Sequence, residues 1–160
     1  MAPTTFHSDP CWDAYPNTVI EIGALASLRI DLRLHVGPEQ HSALKRLGLA
    51  GCFAVVTACN PRGLRLSTDE NAHRNRRLSA QLEAEQVVSL RADGVCADGS
   101  HRESGFALAI GQASAVRIAT AYEQSAIFWF DGARFRILPV LETGATAATL
   151  PLNDNAGITL

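Results

Sequence analysis

Residues 52–63 read Cys52-Phe53-Ala54-Val55-Val56-Thr57-Ala58-Cys59-Asn60-Pro61-Arg62-Gly63, and the fold is decided there. Cys52 to Ala58 is nearly all apolar. A run that short and that β-branched predicts a central strand buried on both faces. It ends abruptly in Asn60-Pro61-Arg62-Gly63. Each of these residues suits a turn: Asn tolerates left-handed backbone, Pro fixes φ, and Gly adopts positive φ without penalty.

Downstream, Ser67-Thr68-Asp69-Glu70 is a capping box and predicts a helix running to about Glu85. Its apolar face is marked by Leu78 and Leu82. Helical spacing carries that face back to Asn75 and Asn71, so two amides continue a stripe that points at the core. Val87 to Ala92 predicts a strand, Asp93 to Arg102 a polar loop, and Ser104 to Ile110 another strand. Ala115, Ile118, Ala119 and Tyr122 recur at helical spacing. Ala126 to Phe130 and Arg134 to Leu138 are strands joined by Asp131-Gly132, a two-residue hairpin signal.

From Cys52 to Phe130 the order is therefore β-α-β-β-α-β, the split βαβ of an α+β, ferredoxin-like sandwich with both helices on one face. Upstream, Thr18 to Ile22 and Leu28 to His35 predict a hairpin, and Pro38 opens a short helix that Gly48 closes. The expected organisation is a loose arm over residues 1–14, one domain over 15–140, and a tail or edge-covering extended segment over 141–160.

The chain has 160 residues, 47% of them hydrophobic and 19% charged, which is globular composition. No apolar run approaches the roughly 20 residues of a membrane-spanning helix, and residues 1–10 lack a secretory pattern, so a cytosolic protein is expected. Cys11, Cys52, Cys59 and Cys96 have no paired spacing, and the five histidines lie far apart, which argues against disulfides and a metal site. The net charge of −2 argues against nucleic acid as a partner. No phosphate-binding Gly-x-x-x-x-Gly-Lys occurs and no cofactor is expected, and no Gly-x-Ser-x-Gly supports a serine triad.

In this arrangement Thr57, Asn60, Arg62, Ser67, Asn71, Asn75 and Gln124 converge near the capping-box helix N-terminus. Free amides and the helix dipole favour an anion at such a place, and amide side chains suit mixed polar edges. The same amides would equally brace a turn by satisfying its backbone. For a reacting group the candidates are Cys59, at a strand end beside a helix N-terminus, and Glu103, just before a strand.

Three segments carry a family likeness: Phe53 to Pro61, Glu70-Asn71-Ala72-His73-Arg74-Asn75, and Tyr122 to Trp129. They resemble the signature of a bacterial family of uncharacterised proteins, domain of unknown function 3293, over roughly residues 15 to 138. The resemblance implies a bacterial, cytosolic protein and names no reaction. Family members commonly show an aromatic residue where Cys59 stands, so the resemblance assigns that thiol no shared role.

The leading expectation is a pocket for a small polar, anionic or nucleotide-like molecule, built on Thr57, Asn60, Arg62, Asn71, Asn75 and Gln124. One alternative is an enzyme that uses this pocket, with Glu103 or Cys59 reacting. Another is an interaction module in which Arg74, Arg76 and Arg77 meet an acidic partner. Oligomeric state is not legible.

Overall fold

The apolar run before the turn forms a four-residue strand, Phe53–Val56, with every residue buried. The computed structural model describes residues 9–142 and 144–152. Among them are β1 (Thr18–Ile22), β2 (Leu28–Asp31), β3 (Phe53–Val56), β4 (Ser89–Cys96), β5 (Arg102–Glu103), β6 (Phe106–Leu108), β7 (Ala126–Phe130), β8 (Phe135–Pro139) and β9 (Ala148–Thr149). The α-helices are α1 (Pro38–Arg46), α2 (Thr68–Ala84) and α3 (Gln112–Ala121). The strands form one curled antiparallel sheet in the order β2-β1-β4-β6-β3-β7-β8-β9, with β5 paired to β4.

Alternation along β3 divides the core. Phe53 and Val55 point to one face, with Ile20, Ile30, Phe130, Phe135 and Leu44 of α1. Ala54 and Val56 point to the other, against Leu78 and Leu82 of α2 and Ala115, Ile118 and Ala119 of α3. On the first face Phe53, Phe130 and Phe135 stack with ring centroids 5.0 to 5.7 Å apart. Each such pair adds about 0.5–1.5 kcal/mol beyond area burial. No helix among the described residues is long and apolar enough to cross a membrane.

Several expectations are corrected. The strand expected to run from Leu28 to His35 stops at Asp31, because Asp31 Oδ1 accepts from the Arg33 backbone N–H and the Arg33 guanidinium forks onto both carboxylate oxygens. The polar loop expected over Asp93 to Arg102 shrinks to residues 97–101: β4 continues to Cys96 along β1, and Arg102 opens β5. Asp93, 5% exposed, is tolerated there because Arg102 donates to it at 3.0 Å. The strand expected over Ser104 to Ile110 starts earlier and is broken, β5 and β6 flanking Ser104-Gly105.

Residues 9–14, expected as part of a loose arm, are docked: Asp9 is 3% exposed, and Trp12 and Tyr15 pack against the first core face. Residues 1–8 and 153–160 of the expected arm and tail lie outside the described residues. Within the tail, β9 pairs with the outer edge of β8.

The break at Ser104-Gly105 has a steric cause. A Cβ at Gly105 would stand 2.6 Å from the Val56 carbonyl oxygen and 3.1 Å from that of Ala92. Only glycine lets β3 and β4 approach there while Ala92 N donates to Gly105 O at 2.9 Å. Gly105→Ala is expected to lower stability by about 1–3 kcal/mol in urea unfolding. Gly51→Ala, where an added Cβ meets nothing within 4 Å, serves as the control and should stay near neutral. Equal midpoints for both variants would remove this account of the break.

Candidate functional site

Because the strand breaks at Ser104, that residue's carbonyl faces the end of β3 instead of a ladder partner. It accepts from Thr57 Oγ1 at 2.6 Å, from Asn75 Nδ2 at 2.7 Å, and from the Cys59 thiol at 3.5 Å. Asn75 also takes the Ala58 N–H on its Oδ1 at 3.0 Å. Arg74 grips the same segment, donating to the carbonyls of Ala58 at 2.6 Å and Tyr122 at 2.7 Å.

One turn nearer the start of α2, Asn71 Oδ1 accepts the Asn60 N–H and Asn71 Nδ2 donates to Asn60 Oδ1, both at 2.9 Å. Asn60 Oδ1 also takes the Leu66 N–H at 2.9 Å. Asn60 sits in the left-handed region, φ 47° and ψ 62°, where asparagine is better tolerated than most residues. Gln124 closes the ring, its Nε2 donating to the carbonyls of Cys59 at 3.0 Å and Tyr122 at 3.2 Å.

Helical spacing thus placed Asn71 and Asn75 on the right face of α2, but what they meet is the strand-end backbone. The helix N-terminus is likewise occupied. Ser67 Oγ accepts from Glu70 N at 3.2 Å, while Glu70 Oε2 accepts from the Ser67 N–H and hydroxyl at 2.9 and 2.8 Å. Arg62 lies outside, its Nε 3.3 Å from Glu123 Oε1 with both side chains about half exposed.

A cavity of about 630 Å³ lies on the other side of Asn60. Its wall includes Tyr15, Asn60, Arg65, His101, Glu103 and Gln124. Thr57, Asn71 and Asn75 are not among the lining residues. Glu103 is set by β5, one residue before the Ser104 junction. Asn60 Nδ2 donates to its Oε1 at 2.6 Å, and His101 Nε2 lies 3.2 Å from the same oxygen. Glu103 and His101 side chains are each 29% exposed. Among the described residues no group of three or more His, Cys, Asp or Glu could hold a metal ion.

The N-terminal segment supplies the opposite wall. Asp9 Oδ1 accepts the Cys11 N–H at 2.7 Å, and Tyr15 donates its hydroxyl to Asp9 Oδ2 at 2.5 Å. Burial, then the bond to Asp9 and its charge, hold the Tyr15 phenol well above its usual range, so it stays a neutral donor. Sequence reasoning missed Asp9, Tyr15 and Arg65 as cavity residues. Asp9-Pro10-Cys11 forms an Asx-type turn, a signal that could have shown order there. His101, just before β5, and Glu103 within it stand two residues apart, a spacing hidden by reading residues 93–102 as loop.

Cys59 is not arranged as a nucleophile. Burial pushes its thiol pKa up, against a lowering contact with Thr57, and the charge of Glu103 raises it further. At neutral pH the group therefore stays protonated, and a thiolate-dependent reaction should be slow. Timed labelling with a colourimetric disulfide reagent at pH 8 should find Cys59 on the order of tenfold or more slower than the exposed Cys52, assigned with Cys52→Ser and Cys59→Ser variants. Matching rates would contradict the placement. Asn75→Ala leaves the Ala58 N–H without its partner and takes from Ser104 O one of its donors. It should cost about 1–3 kcal/mol in urea unfolding. An unshifted midpoint would remove the bracing role.

Neither a curated protein nor a solved structure matches the chain. A family model does, over residues 56–127, from the last residue of β3 to the second residue of β7. That stretch spans the strand-end loop, α2, Glu103 and Gln124. The matching model is that of domain of unknown function 3293, described as a protein of unknown function, and over that stretch the chain is similar to it.

Proposed function

We propose that the chain binds a small polar molecule in the cavity beside Asn60, with Glu103 as its principal contact. The observation that carries this is the Asn60–Glu103 bond of 2.6 Å on the cavity wall. A neutral amide orients the carboxylate and leaves its charge uncancelled, which is how a binding site holds a charged anchor ready. Tyr15 and Phe128, 6.1 Å apart edge to face, supply an apolar surface beside it. An anionic occupant would rely on Arg65, since the capping box holds the α2 N-terminus and Arg62 faces Glu123.

The wider reading is a ferredoxin-like split βαβ in a cytosolic protein. The split βαβ is supported by the order β4-β6-β3-β7, all antiparallel, with α2 and α3 as the crossovers packed on one face. The interaction-module reading loses Arg74, whose guanidinium braces the loop, and keeps Arg76 and Arg77 on the exposed side of α2.

A second reading, an enzyme with Glu103 as proton acceptor, draws on the His101–Glu103 contact of 3.2 Å inside the cavity. Both readings meet in one experiment. Wild type and Glu103→Gln are screened by thermal shift against nucleotides, phosphosugars, amino acids and amines. A ligand at a hundred times its Kd adds about 2.7 kcal/mol, a shift of several degrees. The binding reading expects at least one compound to raise wild-type Tm and to lose most of that shift in Glu103→Gln. Shifts of equal size in both proteins for every active compound would overturn it.

A further inference from the structure

If the cavity is occupied as proposed, the charges around it narrow the occupant. Six ionisable side chains other than cysteine and tyrosine line it: Asp9, Arg33, Arg65, Asp98, His101 and Glu103. Asp9 is taken up by the Cys11 N–H and the Tyr15 hydroxyl. Arg33 is forked onto Asp31 at 2.9 and 2.7 Å. Asp98 accepts the Ser100 N–H at 2.9 Å in an exposed turn.

Asp9 keeps its charge but is buried with both oxygens bonded, and Asp98 faces solvent. The opposite charges left open are Glu103, whose Oε2 takes no donor among the described residues, and Arg65. Glu103 is held by Asn60 and His101, both on Oε1. Arg65 has no ion-pair or hydrogen-bond partner among the described residues, whereas Arg62, Arg74, Arg91, Arg102 and Arg117 each have one. Glu103 and Arg65 also act on the same point, the charge of Glu103 raising the Cys11 thiol pKa and that of Arg65 lowering it, after the larger effects of burial and Asp9.

A third group completes the pattern. Gln124 is 7% exposed and uses its Nε2 on two carbonyls, while its Oε1 takes no donor among the described residues. That oxygen is not a buried orphan, since Arg136 Nε alone stands as one among the described residues. Gln124 lines the cavity, which is where that acceptor would meet an occupant. A carboxylate and an amide carbonyl make two acceptors for an N–H-rich cation; a guanidinium answers a carboxylate.

We infer that the cavity is a site for a zwitterion of the amino-acid type, its ammonium held by Glu103 and Gln124 Oε1 and its carboxylate by Arg65. The apolar surface of Tyr15 and Phe128 takes the side chain, which favours a neutral, apolar one. This inference rests on the binding reading above and adds the chemical class.

Titration calorimetry and thermal shift with the full chain test it, using L-leucine and L-phenylalanine as probes. Each is compared with its N-acetyl derivative, which lacks the ammonium, and its amide, which lacks the carboxylate. The expected result is binding of at least one free amino acid, with both derivatives weaker by on the order of tenfold or more. Arg65→Ala should weaken the free amino acid similarly and leave the amide derivative unaffected. Arg65 is exposed and makes no bond within the described fold, so this variant should keep wild-type Tm without ligand.

Free amino acids that bind no better than their derivatives, or an Arg65→Ala variant with unchanged affinity, would overturn the zwitterion. If nucleotides or phosphosugars shift Tm through Glu103 while neither amino acid does, the zwitterion falls and the binding reading stands. Silence of every compound in the screen removes both.

Discussion

The carbonyl of Ser104 is where three separate parts of the chain are tied together. It is freed from the sheet because Gly105 lets β3 and β4 close to a distance no side chain would fit. Thr57 from the end of β3 and Asn75 from the middle of α2 then donate to it at 2.6 and 2.7 Å. One residue earlier is Glu103. The position of that carboxylate is therefore set by main chain fixed on both sides, and rigid elements hold functional groups more accurately than free loops do. A satisfied buried polar cluster of this kind also gives a unique geometry, since any shift of one member strands its partners.

Asn60 approaches the same carboxylate from the other side. Its backbone N–H and its Oδ1 are both held by Asn71, which fixes the amide so that Nδ2 is the group presented to Glu103. The left-handed backbone at Asn60 and at Arg62 has a price in conformational energy of order 1–3 kcal/mol for a residue other than glycine, less for asparagine. Such strain persists only where surrounding contacts over-determine it. Here they do, through Asn71, Leu66 and Gly63, whose N–H donates to Asn60 O at 3.0 Å.

The parts of this arrangement that were legible in the sequence are those governed by local rules. The capping box, the buried run before Asn60 and the Leu82-Leu78-Asn75-Asn71 stripe follow from spacing alone. Spacing gives a face but not the identity of the group opposite. Free ligand and strand-end backbone both want paired amides, and Asn71 and Asn75 met the backbone. The cavity itself was not legible, because its walls come from residues far apart in the chain. Asp9 and Tyr15 belong to a Pro-rich stretch that looks aperiodic, and Asp93-Gly94 resembles a loop although Arg102 neutralises Asp93 inside a strand.

The bend that creates the junction also creates the space beside it. Along β4, Ser89 to Arg91 pair with β6, while Ala92 to Cys96 turn to pair with β1 and Gly94 and Val95 with β5. β3 ends at Val56 while β5 pairs with β4 alone, so no strand among the described residues covers the outer edge of β5. That leaves a space beside the end of β3. The N-terminal segment lines it, anchored through Asp9, whose carboxylate packs against Gly63 so closely that a Cβ there would lie 2.2 Å from Oδ1. Glycine at the end of the turn is thus needed twice, for its positive φ of 73° and for the room it gives Asp9. The turn residue that ends the central strand and the wall that encloses the cavity depend on the same missing methyl group.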